Sequence, residues 1–532
     1  MSKKKILLVS AVADFAFSGW VEEVAQSVRR ARAFIAPVNI ATVAALTPPE
    51  YDVTLWDEIV QGPSEQALDA GYDLVGVSSY LDQLDRAIEI AAAFRARGIT
   101  AVIGGAGVTT RPEDALGKAD AIFVGEAETT WPQFLAEWEA GTHRSRYDPE
   151  TLPDLTTSPP PRWDSIADKL STNYKSGAIQ INRGCPHRCE FCNVWVKFGR
   201  KIRTKPIPQV LDELRTLEGL GMKRAMFCSD NFIGDPRYAK ELLRAVVPVN
   251  NAFKYPLTFN TELTVKVADD EELLGLFAQA GFTTFFIGIE SPNVDSLLET
   301  HKYHNTKSDL VKQCLRINSY GIPIVGSMIV GFDSDGPGIF DAHFRFLQDA
   351  HIPYARMNLL KAGKGTALYD RMVGERRVIH LERTFPGHKL SNSMMSCNVM
   401  PRGLPRSELY RGYLGLLERV RDWRNFGERM LGFIDDITRI PERRPDDRLL
   451  PVAKEIRQML VTSPGVDVDV VEAIYARANE RVPVMLWEVM SIVLMQRFDV
   501  DRLKTERADL EAQIRLEEQL EARGEAVLET LA

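Results

Sequence analysis

Cysteine is scarce, with six in 532 residues, far too few for a disulfide-built secreted fold and compatible with a reducing compartment where thiols stay available for metal. No window holds eighteen uninterrupted apolar residues, which excludes a transmembrane segment. The opening MSKKKILLVSAVADF turns acidic at Asp14 before any cleavage pattern, so the expected location is cytoplasmic. An excess of one charge is lacking too. The 65 basic and 73 acidic residues are interspersed and sum to -8, which gives no electrostatic case for a nucleic-acid partner and points to a small-molecule substrate. There is no internal repeat, no G-x-G-x-x-G after the first apolar run, and no histidine in the first 140 residues. The 45% hydrophobic and 26% charged residues describe a globular chain, too long for one core, so two or three domains are expected.

What is present begins with KILLVS (5 to 10), a short apolar run ending in a small polar residue, as a buried strand would. YDVTLWD (51 to 57), YDLVGVSS (72 to 79), ITAVIGG (99 to 105) and DAIFVGEAE (120 to 128) repeat the pattern. Between them lie helical periods such as Leu84, Ile88, Ala91 and Phe94. The fold class this predicts is α/β, with a Rossmann-like, doubly wound parallel sheet over residues 1 to 140. Ligands of such sheets sit beyond the carboxyl strand ends, here Ser78-Ser79-Tyr80, Gly104-Gly105-Ala106 and Gly125-Glu126. The glycines there either let a ligand approach the backbone or serve helix packing and turns.

Residues 141 to 173 are rich in Pro, Ser and Thr without apolar period, and read as a linker. From 174 to 385 alternation resumes with GAIQINRG, RAMFCSDNF, YPLTFNTEL, TTFFIGIES, IPIVGSMIVGFD and YARMNLL, six βα units of a partial barrel with function expected at the carboxyl strand ends. One clear helical face between them carries Ile207, Val210, Leu211, Leu214 and Leu217. Residues 386 to 532 are expected to be a helical carboxyl-terminal domain, its tail a solvated helix with the narrow stripe Leu503, Leu510 and Ile514.

RGCPHRCEFCNVW (183 to 195) places Cys185, Cys189 and Cys192 within eight positions after the first strand of the second series. Structural zinc takes four protein ligands, and CxxxCxxC supplies three; His187 stands within reach as a fourth, but the spacing matches no common zinc knuckle. Soft thiolates also hold iron-sulfur clusters, and a cubane on three cysteines leaves one iron open to a substrate or cofactor. Of the other cysteines, Cys314 shares an apolar helical face with Leu310, Val311 and Ile317, Cys228 ends a strand near this loop, and Cys397 has no partner spacing.

CxxxCxxC after the first strand of a six-unit barrel, with Phe191 between the last two cysteines, resembles the radical S-adenosylmethionine (SAM) superfamily. The resemblance implies that Cys185, Cys189 and Cys192 hold a 4Fe-4S cluster whose open iron binds SAM. Reductive cleavage of SAM then gives methionine and a 5'-deoxyadenosyl radical that abstracts hydrogen. It also implies an oxygen-sensitive protein and an electron donor such as flavodoxin or ferredoxin. In CSDNF (228 to 232), Ser229 and Asp230 stand where the superfamily binds the SAM amino group, with turn capping the other reading of Asp230. Glu262 in NTEL and Glu290 in GIES end strands at the barrel mouth, where they meet a ribose diol or make structural ion pairs. GSMIVGFD (326 to 333) resembles the segment that passes the adenine. Arg203 meets the SAM carboxylate or is a surface arginine.

A Rossmann-like domain directly before such a barrel resembles the cobalamin-dependent branch. By that resemblance cobalamin lies across Ser78, Ser79, Gly104, Gly105, Gly125 and Glu126; since D-x-H-x-x-G is absent, no histidine of this domain ligates the cobalt. FGRKIRTKP, DNFIGD, FFIGIESP, IVGFDSDGPGIF and CNVMPRGLPRSELYRGYLGLLERV are similar to the subgroup that includes the hopanoid methylases. Two departures stand out: Ser229-Asp230 replaces a pair of aspartates, and KAGKGTALY (361 to 369) and GERRV replace a PGT loop and an EGR triplet, so the substrate is not inherited from a relative.

The implied function is C-methylation of an unactivated carbon of a lipid, pigment or secondary metabolite, one SAM methylating cobalamin to methylcobalamin and a second supplying the radical. The alternatives are a cyclase or rearrangement enzyme with the same cofactors, and a cobalamin-binding sensor. Trp195, Phe198 and Phe232 permit an apolar substrate and are equally at home in a core.

Overall fold

The structure, a computed structural model, describes residues 3–12, 31–379, 395–439 and 449–523. The expected boundary between 385 and 386, Asp14 and the last nine residues lie outside the described residues. Two compact units divide the chain, one of residues 1–186 and 193–230, the other of 187–192 and 231–532.

In the first unit the five apolar runs become β1 (Lys5–Ser10), β3 (Asp52–Asp57), β4 (Leu74–Ser78), β5 (Thr100–Gly104) and β6 (Ala121–Phe123). They lie parallel in the order β3-β1-β4-β5-β6, followed by a two-residue β7 (Arg146–Tyr147), so the order reverses between β1 and β4 as in a doubly wound sheet. Leu7, Val9, Val75, Val77, Ala101, Ile103 and Ile122 are buried under helix Leu84–Arg95. That helix inserts Ile90 with Leu84, Ala87, Ala91 and Phe94, while Ile88 is only partly buried. The stretch expected to be a linker is packed: Tyr147 stacks on Phe123 at 5.2 Å, and Leu155, Trp163, Ile166 and Leu170 are buried. Its few apolar residues lack a period because each docks separately.

The same unit holds a strand the periodicity missed, β2 (Ala33–Ile35), parallel to β8 (Tyr174–Gln180), which pairs in parallel with β11 (Arg224–Cys228). Between β8 and β11, β9 (Asn182–Arg183) and β10 (Arg203–Thr204) form a short antiparallel pair.

The second unit carries β12 (Thr258–Leu263), β13 (Phe282–Glu290), β14 (Ile324–Val330) and β15 (Tyr354–Leu359), all parallel and in sequence order. Two strands of the first unit, β8 and β11, and these four make up the six expected in sequence, and the fold class is α/β with a helical carboxyl-terminal region. Helix Glu271–Ala280 shows why its ends fall where they do: the Asp270 carboxylate accepts from Leu273 N at 3.0 Å, and Gly281 leaves with φ +100°. Its Phe277 meets Phe232, Phe282 and Phe285 in an edge-to-face cluster, which places Phe232 in the core rather than at a mouth.

Past residue 405 come helices Arg406–Arg421, Trp423–Asp436, Leu449–Val461, Val468–Arg481 and Leu486–Ala522. The last helix is not a solvated one. Glu506 and Glu517 are buried on it because Arg421 and Arg406 reach them, and Gln513 donates to Glu517; Arg406 Nη2 meets Glu517 Oε1 at 2.7 Å, each side chain 2% exposed. No described helix is long and apolar enough to cross a membrane.

Candidate active site

At the carboxyl edge of the first sheet the backbone loops pack on one another. Ser79 N donates to Gly104 O at 3.0 Å, Gly107 N to Ser79 O at 3.0 Å, and Asn39 Nδ2 to Ser78 Oγ at 2.8 Å. Gly105 has φ +97°, and a Cβ there would stand 2.5 Å from Ser79 O. A side chain at Gly105 is thus excluded by the protein's own backbone, the packing reading of this glycine. Gly125, at φ +83°, turns the chain under Pro149 and presents Glu126.

Glu126 is 5% exposed, and both its oxygens are taken. Arg203 Nη2 donates to Oε1 at 2.5 Å and Nη1 to Oε2 at 2.9 Å, while Arg183 Nη1 also donates to Oε2. Arg183 and Arg203 are direct partners across β9–β10, so two guanidiniums converge on one carboxylate. Arg183 adds Glu128 at 2.7 Å and Gln180 Oε1 at 2.8 Å. Burial pulls the Arg183 guanidinium down, but Glu128 and Glu126 outweigh it and hold it above the ordinary arginine value. Arg203 is therefore not a surface arginine: its side chain is 11% exposed and bonded to Glu126.

The next residues lead into the cysteine loop. Gly184 N donates to Asp230 Oδ2 at 2.8 Å, Cys185 N to Gly199 O at 3.2 Å, and Ser229 Oγ to Asn182 Oδ1 at 2.7 Å. Asp230 thus braces the entry to the cysteine loop, 46 residues away in sequence, rather than capping its own turn. Burial raises its carboxyl to about 6 against the opposing pull of the Gly184 amide and Lys197. Trp195 and Phe198 sit half-buried on helix Val194–Phe198.

In the second unit the loop 187–192 is fastened along its length. Cys192 N donates to Cys189 O at 3.1 Å, Glu190 N to Thr300 O at 2.9 Å, and Leu368 N to Glu190 O at 2.9 Å. The buried Glu190 carboxylate is gripped by Arg371, Nε to Oε1 at 2.7 Å and Nη2 to Oε2 at 2.8 Å. His187 stacks on His304 with ring centroids 3.8 Å apart. Burial, then the Lys302 ammonium, pulls His304 down to about 2 and lowers His187, so both rings are neutral.

Lys302 is the cation of this region. Its Nζ donates to Glu290 Oε1 at 2.6 Å, with both side chains 7% exposed. Burial lowers the ammonium's pKa, but Glu290 and the thiols of Cys189 and Cys192 outweigh that and raise it. Glu290 has φ +68°, a left-handed conformation costly for a side-chain-bearing residue, after a register shift in β13. Gly288 makes the room: a Cβ there would lie 2.9 Å from Lys302 Nζ. Nearby, Asp335 accepts from Gly331 N at 2.8 Å and Phe332 N at 3.0 Å, bracing the segment expected to pass an adenine. Glu262 is exposed on β12 and acts electrostatically on Arg356 of β15, which burial lowers to about 10.

The residues that sequence reasoning missed are Lys302, Glu190, Arg371 and Arg183, each defined by a partner distant in sequence or by a strained backbone. Cys314 and Cys397 are fully buried, Cys228 is half-buried, and none of the six cysteines is in a disulfide. Among the described residues no group of three or more His, Cys, Asp or Glu side chains is gathered into a metal set. Cys185 ends the first unit's segment, and Cys189 and Cys192 lie in the second. The donor chemistry suits an iron-sulfur cluster: three soft thiols in one loop, two of them beside an ammonium that favours thiolate.

The chain matches the Radical SAM superfamily over residues 179–347 and the B12 binding domain over residues 27–135. It is 35% identical over 350 residues to an uncharacterized methyltransferase of Synechocystis sp., covering 65% of each chain. It is 31% identical over 353 residues to the hopanoid C-2 methylase of Rhodopseudomonas palustris, covering 65% of this chain and 66% of that one. The match therefore spans just under two thirds of these relatives' own length. In fold it is similar to the radical SAM methyltransferase TsrM of Kitasatospora setae, with a TM-score of 0.58 at 16% identity over 78% of this chain and 89% of that one.

Proposed function

From a chain that belongs to the cobalamin-dependent radical SAM proteins, and by its two domains uses cobalamin, a 4Fe-4S cluster and SAM, we propose that the activity is methylation of an unactivated carbon. The observation that carries the reading is the CxxxCxxC loop, three soft thiols within eight residues, with Cys192 N bonded to Cys189 O at 3.1 Å. The likeness to a methyltransferase and to a hopanoid methylase supports methyl transfer over cyclisation. When bound, the cofactors supply a carbon-centred radical and a methyl group.

The chain's own share is to bind, orient and exclude water. We assign Cys185, Cys189 and Cys192 to the cluster, and Ser229, Asp230, Glu262 and Glu290 to SAM. Ser78, Ser79, Gly104, Gly105 and Gly125 line the cobalamin edge. Lys302 keeps the cysteine loop electropositive, and Arg371 holds that loop through Glu190. The domain limits that go with this reading are 1–140 for cobalamin, 174–385 for the radical SAM half-barrel and 386–532 for the helical region. The substrate is an apolar lipid, pigment or secondary metabolite, the electron donor a flavodoxin or ferredoxin, and the compartment the reducing cytoplasm.

The test is to feed methyl-labelled methionine to the native host with and without this gene and compare lipids, pigments and metabolites by mass spectrometry. Loss of one labelled methyl from one compound on deletion supports the reading and names the substrate. Loss of a compound whose precursor accumulates with the same carbon count overturns it in favour of cyclisation or rearrangement.

A further inference from the structure

The carboxylate of Glu126 lies where a cobalamin edge is expected, and it is taken up by the protein's own arginines. Both its oxygens accept from guanidiniums, three bonds in all, and the group is 5% exposed. Its partners are the two facing residues of the β9–β10 pair, two positions before Cys185 and at the end of the loop that follows Cys192. Each arginine is held in turn: Arg183 by Glu128 and Gln180, and Arg203 by Pro153 O at 2.8 Å and Phe198 O at 3.2 Å. On the sheet side, Gly125 N donates to Thr109 Oγ1 at 2.9 Å. On the cysteine side, Asp230 fixes Gly184 N and Gly199 O accepts from Cys185 N. An unbroken run of short bonds thus links the end of β6 to the backbone of Cys185, all inside one compact unit.

We infer that Glu126, through Arg183 and Arg203, is a positioning residue that sets the register between the glycine-bearing edge of the first sheet and the entry to the cysteine loop. The inference rests on the proposed reading, in which those two places serve cobalamin and the cluster. A carbon that loses hydrogen on one side and gains a methyl from the other needs both donors in register. A misplacement of 1 Å costs on the order of 10²-fold in rate. Radical generation needs only the cysteine loop, so the two outputs separate when the link is cut. An exposed ion pair would contribute little rigidity, but a buried carboxylate gripped in bidentate fashion fixes both ends. The arrangement also requires arginine at 203, since lysine supplies charge without the fork.

The experiment uses the full chain loaded with both cofactors, comparing wild type with Glu126→Gln and Arg203→Lys. Iron and cobalamin content establish that each protein is loaded. 5'-Deoxyadenosine, S-adenosylhomocysteine and methylated product are counted together. Pulsed dipolar electron paramagnetic resonance reads the distance between reduced cluster and cob(II)alamin.

The expected result is 5'-deoxyadenosine within about threefold of wild type, methylated product down by about tenfold or more, and a broadened distance distribution, with Arg203→Lys intermediate. Equal falls in both products, or an unchanged distance with weakened cobalamin binding, overturns the inference and makes Glu126 a structural or cofactor-contact residue. No 5'-deoxyadenosine from loaded wild type instead sinks the proposed function itself.

Discussion

Replacing Lys302 by Met removes one charge while keeping most of the side chain's volume, so it isolates electrostatics from packing. In the wild type Lys302 Nζ stands 2.6 Å from Glu290 Oε1, and each side chain is 7% exposed. Stranding one member of a buried pair costs about 3–5 kcal/mol, because the remaining carboxylate keeps its desolvation penalty without a counter-ion. At 2–4 °C per kcal/mol for a body of this size, the midpoint of thermal unfolding should fall by about 6–20 °C. The double variant Lys302→Met with Glu290→Gln leaves no buried charge, and should recover about 1–3 kcal/mol of that loss. The same ammonium lies beside Cys189 and Cys192, so the single variant should also shift the cluster's midpoint potential downward. About 59 mV corresponds to tenfold in the reduced-to-oxidised ratio. Differential scanning calorimetry and a potentiometric titration read the two effects. A melting shift under about 2 °C, or a double variant no more stable than the single, would refute the reasoning.

Three further outcomes follow from the same geometry. Cys185→Ala, Cys189→Ala and Cys192→Ala should each abolish 5'-deoxyadenosine under anaerobic reduction, and wild-type yields from any of them would remove the cluster assignment. Arg371→Gln leaves the 6% exposed Glu190 without its two bonds of 2.7 and 2.8 Å. Because Arg371 itself is 30% exposed, the expected cost is about 2–3 kcal/mol by urea unfolding, only partly restored by Arg371→Lys. Asp57 accepts from Tyr174 Oη at 2.9 Å, and burial raises its carboxyl from 3.8 to about 6. The folded state therefore holds this proton more tightly than the unfolded one, so stability falls as pH rises from about 4 to about 6. The contribution is about 3 kcal/mol at about 1.4 kcal/mol per unit. Comparing urea unfolding of Asp57→Asn and wild type across that window should show the slope missing from the variant.

How far the sequence could be read depended on the range of the interaction that decides each feature. Strands β1, β3, β4 and β5 announced themselves as apolar runs because both faces of a parallel sheet are covered, and that signal is local. The cysteine loop was legible for the same reason: ligand spacing is a property of eight neighbouring residues. Glu126 was placed at a strand end correctly, but its partners are 57 and 77 residues away, so nothing nearby says whether its carboxylate faces a ligand or two arginines. Helix Leu486–Ala522 shows the same limit from the other side. Its stripe of Leu510 and Ile514 looks too narrow for burial until Arg406 and Arg421, some 111 and 85 residues earlier, neutralise Glu517 and Glu506 and let that face be buried. Glu290 adds a third case, since its side chain reaches Lys302 only because the backbone takes φ +68° and Gly288 leaves space. Long-range pairing thus decides how each carboxylate expected at the site is held. Among the acidic residues expected at the site, Glu126 is held by two arginines, Glu290 by Lys302 and Asp230 by Gly184 N, and Glu262 on β12 acts on Arg356 of β15.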